Sequence, residues 1–148
     1  LGVGLARSKD ELLETSDFVS IHLILSARTR GLLGAGDLRR MKRTAYLVNT
    51  SRAPIVDAAA LVQALREGWI AGAGLDVFEV EPTPRDNPIL ALDNVIVTPH
   101  GLCFTDECFT GIARNTFEAV RALADGAAPK YIVNREALGH AALAHLRN

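Results

Sequence analysis

TAYLVNTSRAPIVDAAALVQALREGWIAGAGLDVF, residues 44–78, decides the fold. TAYLVNT at its head and AGAGLDVF at its tail are apolar runs of strand length. Between them Asp57 is a cap for AAALVQALREG, where Leu61 and Leu65 share a helix face at i,i+4 and Gly68 ends the helix. The stretch reads strand, helix, strand, the unit from which a parallel sheet is built, because parallel neighbours need a crossover. The glycines of AGAGLDVF allow another backbone to come close.

Working outward, KDELLETSD has a helical pattern, FVSIHLIL reads as a continuous apolar strand of the kind buried on both faces, and GAGDLRRMK is a short capped helix. On the other side EVEPTPRDNP, with three prolines, is a loop, and NVIVTP is a fourth strand. From about Thr105 to Ala124 a long helix is predicted, with Ile112, Ala113, Phe117, Val120 and Leu123 forming one apolar stripe and Gly126 and Pro129 terminating it. YIVNREALGHAALAHLRN reads as a short extended piece followed by an Ala-rich helix. No internal repeat, low-complexity tract or linker interrupts the chain.

Four of the apolar runs end in chemically useful side chains. SIHL, YLVNTSR, AGLDVFEVEP and IVTPH deliver His22, Arg52, Asp76 with Glu81, and His100. A parallel sheet with its site at the strand C-termini reads this way. Arg, Glu and His together suit work on a small carboxylate. Reduction of a 2-oxo acid needs a cation for the carboxylate and a proton donor for the carbonyl oxygen, beside a hydride from a nicotinamide. The Arg52 guanidinium matches a carboxylate bidentately, and the His100 imidazole can give a proton in one direction and take it back in the other.

Composition bounds the rest. With 148 residues, 49% hydrophobic content and a net charge of -1 from sixteen Lys plus Arg against seventeen Asp plus Glu, the chain fits one core-forming domain. Its mixed charges call for neither nucleic acid nor a membrane surface. No leader opens the chain, so a cytoplasmic location is expected. Cys103 and Cys108 have neither redox nor zinc spacing, and His100 alone does not complete a metal site, so they are expected to be ordinary reduced thiols. The first residue is Leu, and the opening LGVGLA has no cap, as if the chain began in the middle of something.

SDFVSIHLILSARTRGLLG, MKRTAYLVNTSRAPIVDAAALVQAL, AGAGLDVFEVEP and NVIVTPH, in that order, resemble the NAD-dependent D-2-hydroxyacid dehydrogenases, a family that includes phosphoglycerate dehydrogenase and glyoxylate/hydroxypyruvate reductase. The resemblance covers roughly residues 8–135. It implies an α/β fold, part of a doubly wound, Rossmann-like parallel sheet. Residues 1–126 would be the second half of the NAD-binding domain and 127–148 a C-terminal tail with a short helix. The family's G-x-G-x-x-G turn and its ribose-binding acidic residue do not occur here; GVG at 2–4 and GAG at 34–36 and 72–74 lack the strand–helix setting and the third glycine. NAD is the implied cofactor, with NADP open because the residue that decides between them is absent.

By the same resemblance Arg52 is the carboxylate anchor, His100 the acid/base and Glu81 its carboxylate partner; Glu81 also argues against formate dehydrogenase, which has Gln at the matching position. Asp76 matches the contact to the nicotinamide carboxamide, its alternative role being to cap the following turn. Thr50, Ser51 and Arg52 match one turn lining the cofactor, and His22, Leu23 and Ile24 another, with His100 and Gly101 completing the set. Two departures stand out: Ile24 where the family usually has Pro, and HGLCFTDE in place of H-I-G-G, which brings Cys103 and Phe104 either toward the pocket or into helix-start packing. The full-length protein is thus expected to be a dehydrogenase of small D-2-hydroxy acids and a homodimer. The rival from another class is a non-enzymatic, NAD-sensing corepressor of the same fold. The 148 residues alone are expected to be inactive, with the first strand left as an apolar edge prone to association.

Overall fold

The computed structural model describes residues 2–146, in which the chain forms two compact units that divide between Leu102 and Cys103. The first holds α1 (Lys9–Thr15), β1 (Phe18–Ile21), α2 (Ala35–Arg40), β2 (Tyr46–Asn49), α3 (Ala58–Arg66), β3 (Gly72–Leu75) and β4 (Val95–Val97), with 3₁₀ turns at Ala53–Ile55 and Pro88–Ala91. The strands make one parallel sheet in the order β1-β2-β3-β4. β1 is therefore an edge strand, as expected.

Local chemistry sets the helix ends. Ser8 Oγ accepts the Glu11 N–H at 3.1 Å to open α1, and Asp57 Oδ1 accepts the Ala60 N–H at 2.8 Å to open α3. α3 closes at Gly68, whose φ of 66° lets the Trp69 N–H donate back to the Ala64 carbonyl at 2.8 Å. The predicted strand–helix–strand unit is thus present, cap for cap.

α1 packs on α2 and α2 on α3, forming a single layer of helices. Against it lie Val19 and Ile21 of β1, Leu47 of β2 and Ala73 and Leu75 of β3, together with Leu13, Leu38, Leu61 and Leu65 from the helices. The opposite face carries Phe18, Tyr46 and Ile96, which are 71%, 44% and 75% exposed, with the Phe18 and Tyr46 rings stacked at 5.5 Å. This corrects the expectation for FVSIHLIL. Only Phe18–Ile21 is strand, and it alternates exposed and buried. Side chains of a strand point to opposite faces in turn, and within this unit only one face has a helical layer to meet them.

Gly72 is where a missing side chain is required. A Cβ there would lie 2.5 Å from the Asn94 carbonyl oxygen and 3.0 Å from the Tyr46 ring. The half-buried Asn94 in turn donates to the Leu65 and Ala71 carbonyls at 3.2 and 3.3 Å, which fastens the start of β4 to the end of α3.

The second unit is built on α4 (Asp106–Ala124). Thr105 Oγ accepts the Cys108 N–H at 3.2 Å, and the flanking Phe104 and Phe109 rings meet at 5.6 Å, so these residues start the helix as a cap and an apolar staple. Gly126, at φ 74°, ends it, with the Ala127 N–H on the Ala122 carbonyl at 2.8 Å. Ile112, Phe117, Val120 and Leu123 of the predicted stripe are exposed. The Ala-rich helix expected in the tail is instead two 3₁₀ stretches, Arg135–Gly139 and Ala141–Leu146, separated by His140 in an extended conformation. The tail's last two residues, Arg147 and Asn148, lie outside the described residues. Among the described residues no helix is long and apolar enough to cross a membrane, no His/Cys/Asp/Glu group could hold a metal ion, and both cysteines are free.

Candidate active site

Parallel strands place all their C-terminal ends at one edge of the sheet, and the candidate residues of the first unit follow those ends. His22, Leu23 and Ile24 come after β1, Thr50, Ser51 and Arg52 after β2, Asp76 after β3, and His100 and Gly101 shortly after β4.

The turns after β1 and β2 are tied together by the Ser51 hydroxyl, which donates to the Leu23 carbonyl. Between them runs an open groove of about 370 Å³ lined by His22, Leu23, Ile24, Leu25, Thr50, Ser51 and Arg52. Both cofactor-lining turns expected from the sequence therefore face one space. The His22 ring is engaged by its own strand, with Nε2 2.8 Å from Ser20 Oγ, and the Ile24 carbonyl accepts the Thr29 hydroxyl at 2.8 Å. A wider groove of about 820 Å³, lined among others by Val62, Arg66, Glu79 and Pro84, contains none of the candidate residues.

Arg52 is exposed, and its Nη1 donates to the Ser51 carbonyl at 2.7 Å. Among the described residues no carboxylate lies within ion-pair distance of it, so most of its five donors remain free for an anion.

His100 and Glu81, nineteen positions apart, meet at the same edge: His100 Nδ1 lies 2.7 Å from Glu81 Oε2. An ionised carboxylate only accepts, so Nδ1 carries the hydrogen of this bond. Nε2 has no partner among the described residues. Glu81 is held from its other oxygen by the Phe78 N–H at 2.9 Å. The bond from His100, then the Phe78 N–H, hold the Glu81 carboxyl below its ordinary pKa, with burial opposing them and the charges of His100 and Arg52 adding to the effect.

Asp76 shapes the turn that carries His100. It is 3% exposed, and its Oδ1 accepts the Thr98 hydroxyl at 2.5 Å and the Gly101 N–H at 2.9 Å, while Oδ2 accepts the Leu102 N–H at 3.3 Å. Burial pushes its pKa up, but these three donors, with the nearby His100, outweigh that and hold it below the usual carboxylate value. His100 itself sits at φ 53°, a region that non-glycine residues seldom adopt. The clamp on the two following amides is what over-determines that backbone. The Asp76 carboxylate does not cap the turn that follows it in the chain, the alternative role given to it; it holds the distant turn after β4, and one of its four acceptor positions is left for a further donor.

One buried polar residue went unremarked in the sequence. Asn49, 2% exposed at the end of β2, accepts the Ser51 N–H at 3.1 Å through Oδ1 and donates to the Arg52 carbonyl at 3.1 Å through Nδ2. Asn two residues before a turn at a strand end was the available signal.

A family model described as "D-isomer specific 2-hydroxyacid dehydrogenase, NAD binding domain" matches residues 2–101. The chain belongs to that family. It is 51% identical over 127 residues to a glyoxylate reductase of Korarchaeum cryptofilum, covering 86% of this chain and 38% of that relative. It is 40% identical over 134 residues to a D-3-phosphoglycerate dehydrogenase of Methanocaldococcus jannaschii, covering 90% and 25%. The NAD-complexed D-isomer specific 2-hydroxyacid dehydrogenase of Lactobacillus delbrueckii ssp. bulgaricus superposes with a TM-score of 0.78 at 33% identity, covering 84% of this chain and 42% of that one. The chain thus spans between 25% and 42% of these relatives' lengths. The family and the parallel α/β, Rossmann-like fold expected from the sequence both hold.

Proposed function

We propose that the intact protein carrying this chain is an NAD-dependent oxidoreductase that interconverts a small D-2-hydroxy acid and its 2-oxo acid, with Arg52, Glu81 and His100 as its catalytic groups. The observation that carries the proposal is the 2.7 Å bond between Glu81 and His100 Nδ1, which leaves Nε2 open at the same sheet edge as Arg52. The fit to the cofactor rests on the groove between the turns after β1 and β2, whose exposed Leu23 and Ile24 offer apolar surface beside Thr50 and Ser51. Leu23, Ile24, Thr50, Ser51, Asp76 and Gly101 would hold NAD, with His22, Arg52 and His100 alongside. When bound in its reduced form, NAD supplies the hydride for C2 of the 2-oxo acid.

The chain's own residues account for the rest. Arg52 grips the carboxylate through two parallel N–H donors and polarises the adjacent carbonyl. His100 Nε2 gives its proton to the carbonyl oxygen, which becomes the hydroxyl of the product. In the reverse direction the neutral ring takes that proton back. Glu81 fixes the tautomer and balances the charge of the imidazolium, and Asp76 holds the turn on which the ring is mounted.

Relatives named glyoxylate reductase and glyoxylate/hydroxypyruvate reductase make glyoxylate and hydroxypyruvate the first substrates to try. The intact protein with NADH should turn over at least one member of a panel of 2-oxo acids. NADH binding with turnover of none would support the corepressor-like sensor instead. We further infer a cytoplasmic homodimer for the intact protein; light scattering tests its assembly.

A further inference from the structure

We infer that Asn49 is the positioning residue that sets where the Arg52 side chain stands, an inference that rests on Arg52 as the carboxylate anchor. Asn49 closes a small ring on the chain, with Oδ1 on the Ser51 N–H and Nδ2 on the Arg52 carbonyl, both at 3.1 Å. It uses a donor and an acceptor in one planar group, which among buried side chains of this size only an amide provides. The base of the ring is itself fixed: Asn49 pairs with Ile21 on one side and Leu75 on the other, and its carbonyl accepts the Asp76 N–H at 3.1 Å. Asn49 and Asp76 are thus neighbours at the ends of adjacent strands, one holding the turn of Arg52 and the other the turn of His100.

Beyond this ring the Arg52 guanidinium has one bond, to the Ser51 carbonyl, and no ion pair among the described residues. Its backbone is therefore what determines its aim. Asn49→Asp keeps the acceptor for Ser51 but turns the donor into a second acceptor facing the Arg52 carbonyl, so the ring opens on the side of Arg52 alone. The Arg52 carbonyl keeps the Ile55 N–H at 3.3 Å, so what displaces the turn is the repulsion between the new carboxylate oxygen and that carbonyl together with the lost Nδ2 bond.

The test is a double-mutant cycle in the intact protein, with Asn49→Asp, Arg52→Gln and both together, read as KM for the 2-oxo acid, kcat, and the Kd of NADH as the check on folding. Asn49→Asp should raise KM by about tenfold, as expected for a displaced clamp, with NADH affinity retained, and should add no further rise in the Arg52→Gln background. A full additional rise in that background, or a lowered melting temperature with KM unchanged, would overturn the positioning role. An unchanged KM for Arg52→Gln by itself would overturn the anchor, and the positioning role with it. If Asn49→Asp fails to bind NADH, Asn49→Ser, which removes the reach to Arg52 without adding charge, carries the same cycle.

Discussion

Asp76 Oδ1 and the Gly101 amide are 2.9 Å apart, which ties the end of β3 to the residue immediately after His100. The same oxygen takes the Thr98 hydroxyl, so one buried carboxylate grips the turn on both sides of the imidazole. Asp76→Ala would leave the two amides and the hydroxyl without their acceptor. A loss of roughly 2–4 kcal/mol is expected on urea unfolding; an unchanged midpoint would contradict the clamp. Because the folded-state pKa of Asp76 is lowered, its contribution is complete at neutral pH and disappears only as the pH falls through that lowered value.

Glu81 is lowered chiefly by its bond to His100, so it too stays ionised at pH values where an ordinary Glu takes up a proton. Reduction consumes the proton of His100, and Glu81→Gln removes the charged acceptor that fixes the ring's tautomer and orientation, so kcat for reduction should fall by about tenfold with NADH affinity retained. An unchanged kcat would show that Glu81 does not act on His100.

The two glycines of β3 should behave oppositely. Gly72→Ala drives a Cβ to 2.5 Å from the Asn94 carbonyl oxygen, a backbone atom fixed by the start of β4, and should cost roughly 1–3 kcal/mol. At Gly74 the nearest neighbour is Val48 Cγ2 at 3.9 Å, an ordinary contact, so Gly74→Ala should be close to neutral. Thermal melts of the two variants provide the comparison, and equal losses would contradict the close approach.

What the sequence made legible was whatever local chemistry decides. Asp57 and Gly68 bound α3, Thr105 and Gly126 bound α4, and the strand ends that deliver Arg52 and His100 are punctuated by their own turns. What it did not show depends on partners distant in the chain. The two-sided apolar character of FVSIHLIL is real as composition, but burial needs a second layer, and Phe18 has none within its unit. Asn49 sat inside the run TAYLVNT with little to mark it, because its two side-chain hydrogen bonds go to a turn that exists only once the chain has folded. The Glu81–His100 contact came from the family resemblance; eighteen residues with four prolines lie between the two, and no local pattern specifies that closure.

The central claim is that His100 is the acid/base of a dehydrogenase. His100→Ala in the intact protein, measured as NADH oxidation with the best 2-oxo acid and as NADH affinity by calorimetric titration, tests it most directly. The expected result is a kcat lower by about 10²–10⁴ with cofactor binding retained. Turnover close to that of the unaltered protein would contradict it.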